Sequence, residues 1–237
     1  MATGSERHLF GSTLTQAQVD EGLRSYMLRV YNYMGSGLAL TGIVAYIVAH
    51  TGLYQALFSS GIGFVVMFAP LGIVFFMGAK INTMKPSTAQ TLFWVFSVLM
   101  GASLSYVFIT YTATSIVRVF FITATTFGAM SLYGYTTKRS LAKWGSFLFM
   151  GLIGVIIAMV VNIFMQSSVL HFVISVVGVL VFTGLTAYDT QRIKETYVES
   201  DGQAVMTKKA IMGALNLYLN FINLFVMLLH LFGGARE

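Results

Sequence analysis

Long apolar runs alternate with short polar stretches along most of the chain. A bilayer-spanning helix needs about 20 mostly apolar residues. Seven runs reach that length, at roughly 30–50, 61–81, 88–110, 113–135, 144–165, 169–190 and 210–232. The third and fourth runs meet at the small polar stretch YTATSI, where a single broken span is an alternative, but their combined length favours two. The pattern predicts an all-α integral membrane protein, a bundle of seven transmembrane helices.

Basic residues distinguish the two sides of this bundle. Of the 14 Lys and Arg residues, only Arg118 and Arg236 fall outside the side that carries the amino terminus. Lys and Arg concentrate in cytoplasmic loops, so we expect a cytoplasmic amino terminus and an extracytoplasmic carboxyl terminus. Arg118 lies about one turn inside the fourth span. It is either an interfacial side chain that reaches the headgroups or the partner of a buried group.

The polar flanks and the apolar centre divide the chain into three parts. Residues 1–29 form a polar cytoplasmic segment without the features of a cleavable signal peptide, 30–232 the seven-helix transmembrane domain, and 233–237 a short extracytoplasmic tail. Glycines in the spans are expected to allow close helix approach; they are Gly35, Gly37, Gly42, Gly151, Gly154, Gly178 and Gly184.

Composition narrows the class further. Only 9% of the residues are charged and 57% are hydrophobic, whereas soluble domains average about 25% charged residues. The basic residues lie in short clusters between apolar runs, so we expect no nucleic-acid partner. The chain has no Cys, which excludes disulfides and thiolate metal sites. We expect no cofactor.

One carboxylate stands apart near the end of the sixth span. The stretch TGLTAYDTQRIKE, residues 183–195, contains Asp189, and no acidic residue lies between Glu21 and Asp189. A carboxylate within a span is costly unless it is paired, hydrated or protonated. Either Arg192 at i+3 neutralises it as a helix-end charge partner, or it forms a proton or cation site that faces the bundle interior.

The last span carries a row of amides. In NLYLNFINLF, Asn216, Asn220 and Asn223 fall at i, i+4 and i+7 and therefore share one helix face. The face continues to His230. Such amides either bind helices together, or form a polar path, or donate a hydrogen bond to Asp189.

Several membrane protein classes conflict with these residues. A retinal receptor needs a Lys in the middle of its last span, but Lys208 and Lys209 precede that span. An intramembrane aspartyl protease needs a second carboxylate, and no other span contains one. The span histidines lie near the outer ends without a recognisable Ser motif, which disfavours a serine protease. We therefore expect that the protein is not an enzyme.

Three stretches together resemble the Bax inhibitor-1 family, in its bacterial branch: TGLTAYDTQRIKE, FGAMSLYGYTTKRSL at 127–141 and GALNLYLNFINLF at 213–225. The resemblance extends from about Val30 to Phe232. It implies a seven-helix bundle in which six helices surround a central last helix. It also implies a calcium leak that is gated by pH through two aspartates, one in each of the last two spans.

The chain departs from this family at the second aspartate. The first corresponds to Asp189, but the family pattern LYLDFINLF has Asn220 in place of its Asp here. An amide removes the like-charge repulsion of a carboxylate pair and can donate a hydrogen bond to Asp189. We hypothesise that the gating midpoint moves to more acidic pH or is lost. Calcium prefers about six to eight oxygen ligands, so we expect transient coordination and no high-affinity metal site.

These residues lead to one main function and two alternatives. The main prediction is a pH-influenced calcium or cation leak channel of the bacterial inner membrane, in which Asp189 titrates and Asn220 replaces the second aspartate. A non-conducting membrane interaction protein that modulates membrane proteolysis or stress responses is the first alternative. Proton-coupled transport of a solute is the second. The expected partners are a transient cation, the lipid bilayer and other membrane proteins.

Overall fold

The computed structural model describes residues 16–59 and 61–236. The described chain forms α-helices α1 (Gln16–His50), α2 (Leu53–Ser59), α3 (Ile62–Lys80), α4 (Pro86–Leu104), α5 (Tyr106–Thr110), α6 (Ala113–Thr136), α7 (Ala142–Met165), α8 (Ser168–Glu195) and α9 (Gln203–Phe232). The first half of the predicted polar segment, with Arg7, lies outside the described residues, and so does Glu237.

Seven spans in the described chain are long and apolar enough to cross a membrane. They are α1, α3, α4 together with α5, α6, α7, α8 and α9. Each corresponds to one of the seven apolar runs of the sequence. The prediction of an all-α, seven-helix membrane bundle is therefore confirmed.

Three helices extend beyond the predicted spans at one end of the bundle. α1 begins at Gln16 rather than near Val30, α8 continues to Glu195, and α9 already begins at Gln203. An apolar run marks only the part of a helix that lies within the hydrocarbon core, so polar turns at the helix ends leave no such signal. Tyr26 is buried, which shows that the early turns of α1 still pack against the bundle.

Two short helices were not predicted. α2 follows α1, and its half-buried Tyr54 packs against a small apolar cluster that contains Val66. α5 continues the third span after a break at Ser105, whose hydroxyl donates a hydrogen bond to the Ala102 carbonyl at 2.6 Å. The turn that ends at Thr112 then separates the third and fourth spans, as their combined length predicted.

α9 is the central helix. In its most apolar window 72% of the residues are buried, against 39% or fewer in every other described span. α9 packs against α1, α4, α6 and α8, whereas α3 packs mainly against α4, and α7 mainly against α8. The prediction of a central last helix is confirmed. The expected ring of six is corrected to an inner ring of four helices, with α3 and α7 outside it.

Four of the seven span glycines are sites of close approach. A Cβ atom on Gly37, Gly151, Gly178 or Gly184 would crowd a side chain of a neighbouring helix. At Gly35, Gly42 and Gly154, nothing lies within 4 Å of such an atom. The predicted packing role is wrong at those three positions, because Gly35 and Gly154 lie on exposed helix faces and Gly42 lines a cavity.

The end of the bundle where α3, α6 and α8 terminate is called the basic end here. Lysine side chains tie its loops to the helices. The Nζ of Lys194 donates to the Tyr135 carbonyl at 2.8 Å, and that of Lys208 donates to the Asn82 carbonyl at 2.9 Å. Lys209 forms an ion pair with Asp201. The bonds of Lys194 and Lys208 occupy backbone carbonyls that the helix ends and loops leave without partners.

The opposite end of the bundle is closed by the tail, Gly233–Arg236. The backbone N–H of Thr112 donates to the Gly234 carbonyl at 3.1 Å, and that of Arg236 donates to the Thr110 carbonyl at 2.8 Å. The Arg236 side chain also donates to the Phe108 carbonyl. The predicted short tail is therefore a strap across the α5–α6 turn. Arg118, near this end, is exposed, in agreement with the interfacial interpretation.

Candidate functional site

Asp189 on α8 and Asn220 on α9 face each other near the basic end. The Nδ2 of Asn220 donates a hydrogen bond to Oδ2 of Asp189 at 2.7 Å. Asn220 is buried and Asp189 is half-buried. The hydrogen bond from the amide stabilises the ionised carboxylate, while burial disfavours the ionised form. The structure thus brings together the two residues that the sequence connects, in a geometry that suits a carboxylate with one neutral donor.

Hydroxyl groups next to Asp189 fix the position of α8. Thr190 is fully buried, and its Oγ1 lies 3.1 Å from the Oγ of Ser131 on α6. That serine hydroxyl is also hydrogen-bonded to the hydroxyl of Tyr31 on α1. A chain of three hydroxyls therefore connects α1, α6 and α8 beside the carboxylate, and it limits the rotation of α8 that would move Asp189 away from α9.

Gln191 anchors the connection between α6 and α7. Its side chain is buried, with Oε1 accepting from the Leu141 N–H at 2.7 Å and Nε2 donating to the Arg139 carbonyl at 2.9 Å. Sequence reasoning missed this residue. The only signal was its place in the polar end of α8, two residues after Asp189. A neutral amide among charged residues does not by itself indicate a buried anchor.

Arg192 is not in direct contact with the carboxylate of Asp189. Its side chain is exposed and forms no ion pair with Asp189 within 4 Å. Instead it lines a cleft of about 530 Å³ at the basic end, together with Asn216, Lys208 and Lys209. Arg192 acts on the carboxylate only through longer-range attraction, which disfavours a helix-end pair as the sole role of Asp189.

The other members of the amide row have separate environments. Asn223 donates to the carbonyl of Leu219 on its own helix at 2.8 Å, while Asn216 faces the basic-end cleft. His230 lies at the opposite end, where its ring centre is 4.5 Å from that of His171. In the described conformation these side chains form no continuous hydrogen-bonded path. A path through them requires the bundle to open.

A second buried polar contact holds α9 in register. Tyr218 is fully buried, and its hydroxyl lies 2.6 Å from Oγ1 of Thr41 on α1. Thr41 in turn donates to the Ser97 carbonyl on α4 at 2.8 Å. The Tyr218 ring packs edge-on against Phe96, with ring centres 5.0 Å apart. Sequence reasoning missed this contact because a tyrosine and a threonine in apolar runs give no pairing signal.

The carboxylate provides an incomplete cation site. Within residues 20–59 and 61–236, no group of three or more His, Asp or Glu side chains converges on one point. A cation at Asp189 would have the carboxylate and, after a rotation of its side chain, the amide oxygen of Asn220. Calcium usually takes about six to eight oxygen ligands, so water would have to supply most of the coordination.

Known proteins match this chain over nearly all of its length. The family model described as "Inhibitor of apoptosis-promoting Bax1" matches residues 23–237. An uncharacterised protein of Rickettsia prowazekii is 52% identical over 219 residues, which cover 92% of this chain and 93% of that protein. Inner membrane protein YbhL of Escherichia coli is 44% identical over 219 residues, which cover 91% and 94%. This multi-pass membrane protein therefore belongs to the Bax inhibitor-1 family.

Proposed function

We propose that this protein is a pH-influenced calcium or cation leak of the bacterial inner membrane, with Asp189 as the titrating group. The observation that carries the proposal is the 2.7 Å hydrogen bond between Asn220 and Asp189. It places the one carboxylate of the apolar region at the contact between the central helix and α8. The relative YbhL is named an inner membrane protein, and the basic end fits a cytoplasmic amino terminus.

The described conformation is a closed one. Toward the tail end, apolar side chains fill the space between α8 and α9, among them Phe182, Leu224 and Leu228. A hydrated cation cannot cross such a layer, because its desolvation is not compensated there. Conduction therefore requires α8 and α9 to separate.

Protonation of Asp189 supplies a trigger for this separation. A hydrogen bond to an ionised carboxylate is stronger than one to a neutral acid. Adding a proton therefore weakens the contact between Asn220 and Asp189, and α8 is held less firmly to α9. We expect flux to rise as the pH falls. The Arg and Lys side chains of the basic-end cleft oppose cation accumulation, which fits a slow leak rather than a high-conductance channel.

Calcium flux in liposomes tests this proposal. Wild type, Asp189→Asn and the control Glu195→Gln would be reconstituted, and flux measured from about pH 5 to pH 8, a range that includes the titration of buried carboxylates. Glu195 is an exposed acid at the end of the same helix. We expect pH-dependent flux in wild type and Glu195→Gln, and a flat pH profile in Asp189→Asn. Absence of wild-type flux at every pH would overturn the proposal.

One observation favours the second candidate, a non-conducting interaction protein. α7 packs mainly on α8, and only 11% of its most apolar window is buried. Its outward face carries large side chains such as Trp144, Phe147 and Met150. A partner helix could cover this face. This candidate would be preferred if wild type conducts at no pH and Asp189→Asn behaves like wild type.

A further inference from the structure

A lateral groove separates α1 from α6 at the basic end. Both helices pack on α9 but have no extensive contact with each other. The groove has a volume of about 550 Å³, and its walls are mainly apolar, with Met27 and Leu28 on α1 and Phe127 and Leu132 on α6. It opens between the two helices toward the outside of the bundle.

The two helices are also apart farther along the bundle. A second cavity of about 110 Å³ lies between the same two helices, lined by Leu38 of α1, Phe120 of α6 and Phe221 of α9. At 1.5 Å per residue, the α1 segment from Arg24 to Tyr31 that lines the groove rises roughly 10 Å. One leaflet of the hydrocarbon core is about 15 Å thick. The groove therefore covers about two thirds of the length of an acyl chain in one leaflet.

Positive charge lies at the mouth of this groove. Arg24 lines it and is exposed. On the α6 side, the Nζ of Lys194 lies 5.4 Å from the ring centre of Tyr135, which also lines the groove. The acidic residues Asp20 and Glu21, on the preceding turn of α1, are not part of the lining. An apolar groove below a cationic mouth complements an anionic amphiphile.

We propose that the groove between α1 and α6 binds one anionic phospholipid, with an acyl chain along its apolar walls and the phosphate at Arg24. The occupied groove would lie against the hydroxyl chain from Tyr31 through Ser131 to Thr190, the residue next to Asp189. The bound lipid would thus stabilise the closed arrangement of α1, α6 and α8. Binding itself does not depend on whether the protein conducts ions.

Native mass spectrometry of the purified full-length protein tests the site. The probes are phosphatidylglycerol, zwitterionic phosphatidylethanolamine, and glycerol phosphate, which has the headgroup chemistry without acyl chains. Gly128→Leu fills the groove, since nothing lies within 4 Å of a Cβ at Gly128. Gly154→Leu on α7 is its control, because Gly154 is equally open but lies outside the groove. Arg24→Gln removes the mouth charge, with exposed Lys143→Gln as its control.

We expect wild type and both controls to retain one tightly bound phosphatidylglycerol in preference to the other probes. Gly128→Leu should lose that adduct, and Arg24→Gln should weaken it about fivefold, the effect of one basic residue at an anionic membrane surface. Equal binding of phosphatidylethanolamine, or unchanged phosphatidylglycerol binding in both groove variants, would overturn the proposal. A protein dimer that only Gly128→Leu dissociates would also overturn it, because the occupant would then be a second copy. Each variant is first checked for wild-type helix content and monodisperse elution.

Discussion

The amide of Asn220 on α9 donates a 2.7 Å hydrogen bond to the carboxylate of Asp189 on α8. The bond joins the central helix to its main neighbour at the only point where the apolar region holds an acid. In the two-aspartate pattern that the family resemblance implies, the same position would hold a second titratable group. In this chain Asn220 is a neutral donor at that position. The charge of the contact therefore depends on a single proton, the one that Asp189 binds.

Asn220→Asp should change the pH dependence of flux. Two carboxylates at this separation cannot both ionise easily, so they titrate as a coupled pair. We expect the midpoint of the flux profile to move to higher pH and the profile to become broader than in wild type. Asn223→Asp is the matched control, because Asn223 bonds to its own helix rather than to Asp189. Identical profiles for wild type and Asn220→Asp would contradict the assignment.

Gln191→Leu should destabilise the basic end. The substitution keeps approximate volume but leaves the Leu141 N–H and the Arg139 carbonyl without their buried partner. Each lost hydrogen bond costs about 0.5–1.5 kcal/mol, so we expect a lower thermal unfolding midpoint in detergent and faster hydrogen exchange in residues 137–141. Gln90→Leu, at an exposed position of α4, is the control. If both variants unfold alike, Gln191 does not anchor this connection.

Thr41→Val should destabilise the protein more than Tyr218→Phe does. Removing the Tyr218 hydroxyl leaves the bond from Thr41 to the Ser97 carbonyl intact, a loss near the ~0.6 kcal/mol average for a hydrogen bond between membrane helices. Removing the Thr41 hydroxyl breaks both bonds and leaves a buried phenol without a partner, which costs at least ~1 kcal/mol. The thermal unfolding midpoints of the two variants show which substitution destabilises the protein more.

Thr91→Val is the control for this pair. The Thr91 hydroxyl is exposed and bonds only to the Ser87 carbonyl of its own helix. We expect its unfolding midpoint to stay close to that of wild type. The reverse order for Tyr218→Phe and Thr41→Val would mean that the Tyr218 hydroxyl, and not Thr41, organises the contact among α1, α4 and α9.

Gly233→Val should release the tail strap. A Cβ at Gly233 would collide with the Leu229 carbonyl and the Tyr111 ring. We expect the backbone bonds of Thr112 and Arg236 to open, with faster hydrogen exchange at those amides. Gly202→Val is the control, because nothing lies within 4 Å of a Cβ at Gly202. Unchanged exchange in Gly233→Val would show that the strap tolerates a side chain there.

The sequence by itself determined the class of the protein and its seven spans. A span needs a continuous apolar run, which is a local property that a single sequence displays. The same local reasoning identified Asp189, because a carboxylate is rare and costly in apolar surroundings. It failed at α2 and at the polar extensions of α1, α8 and α9, where packing and loop bonds, rather than lipid contact, support the helix.

Only the tertiary structure decided which side chains meet. Asn216, Asn220 and Asn223 share a face by helical periodicity, yet only Asn220 contacts Asp189, because the neighbours of α9 change along its length. The place of Arg192 in the basic-end cleft, the tail strap and the groove between α1 and α6 likewise depend on helix rotation and axial register. Contacts between residues far apart in the chain set the rotation and the register of each helix. A single sequence does not show these contacts.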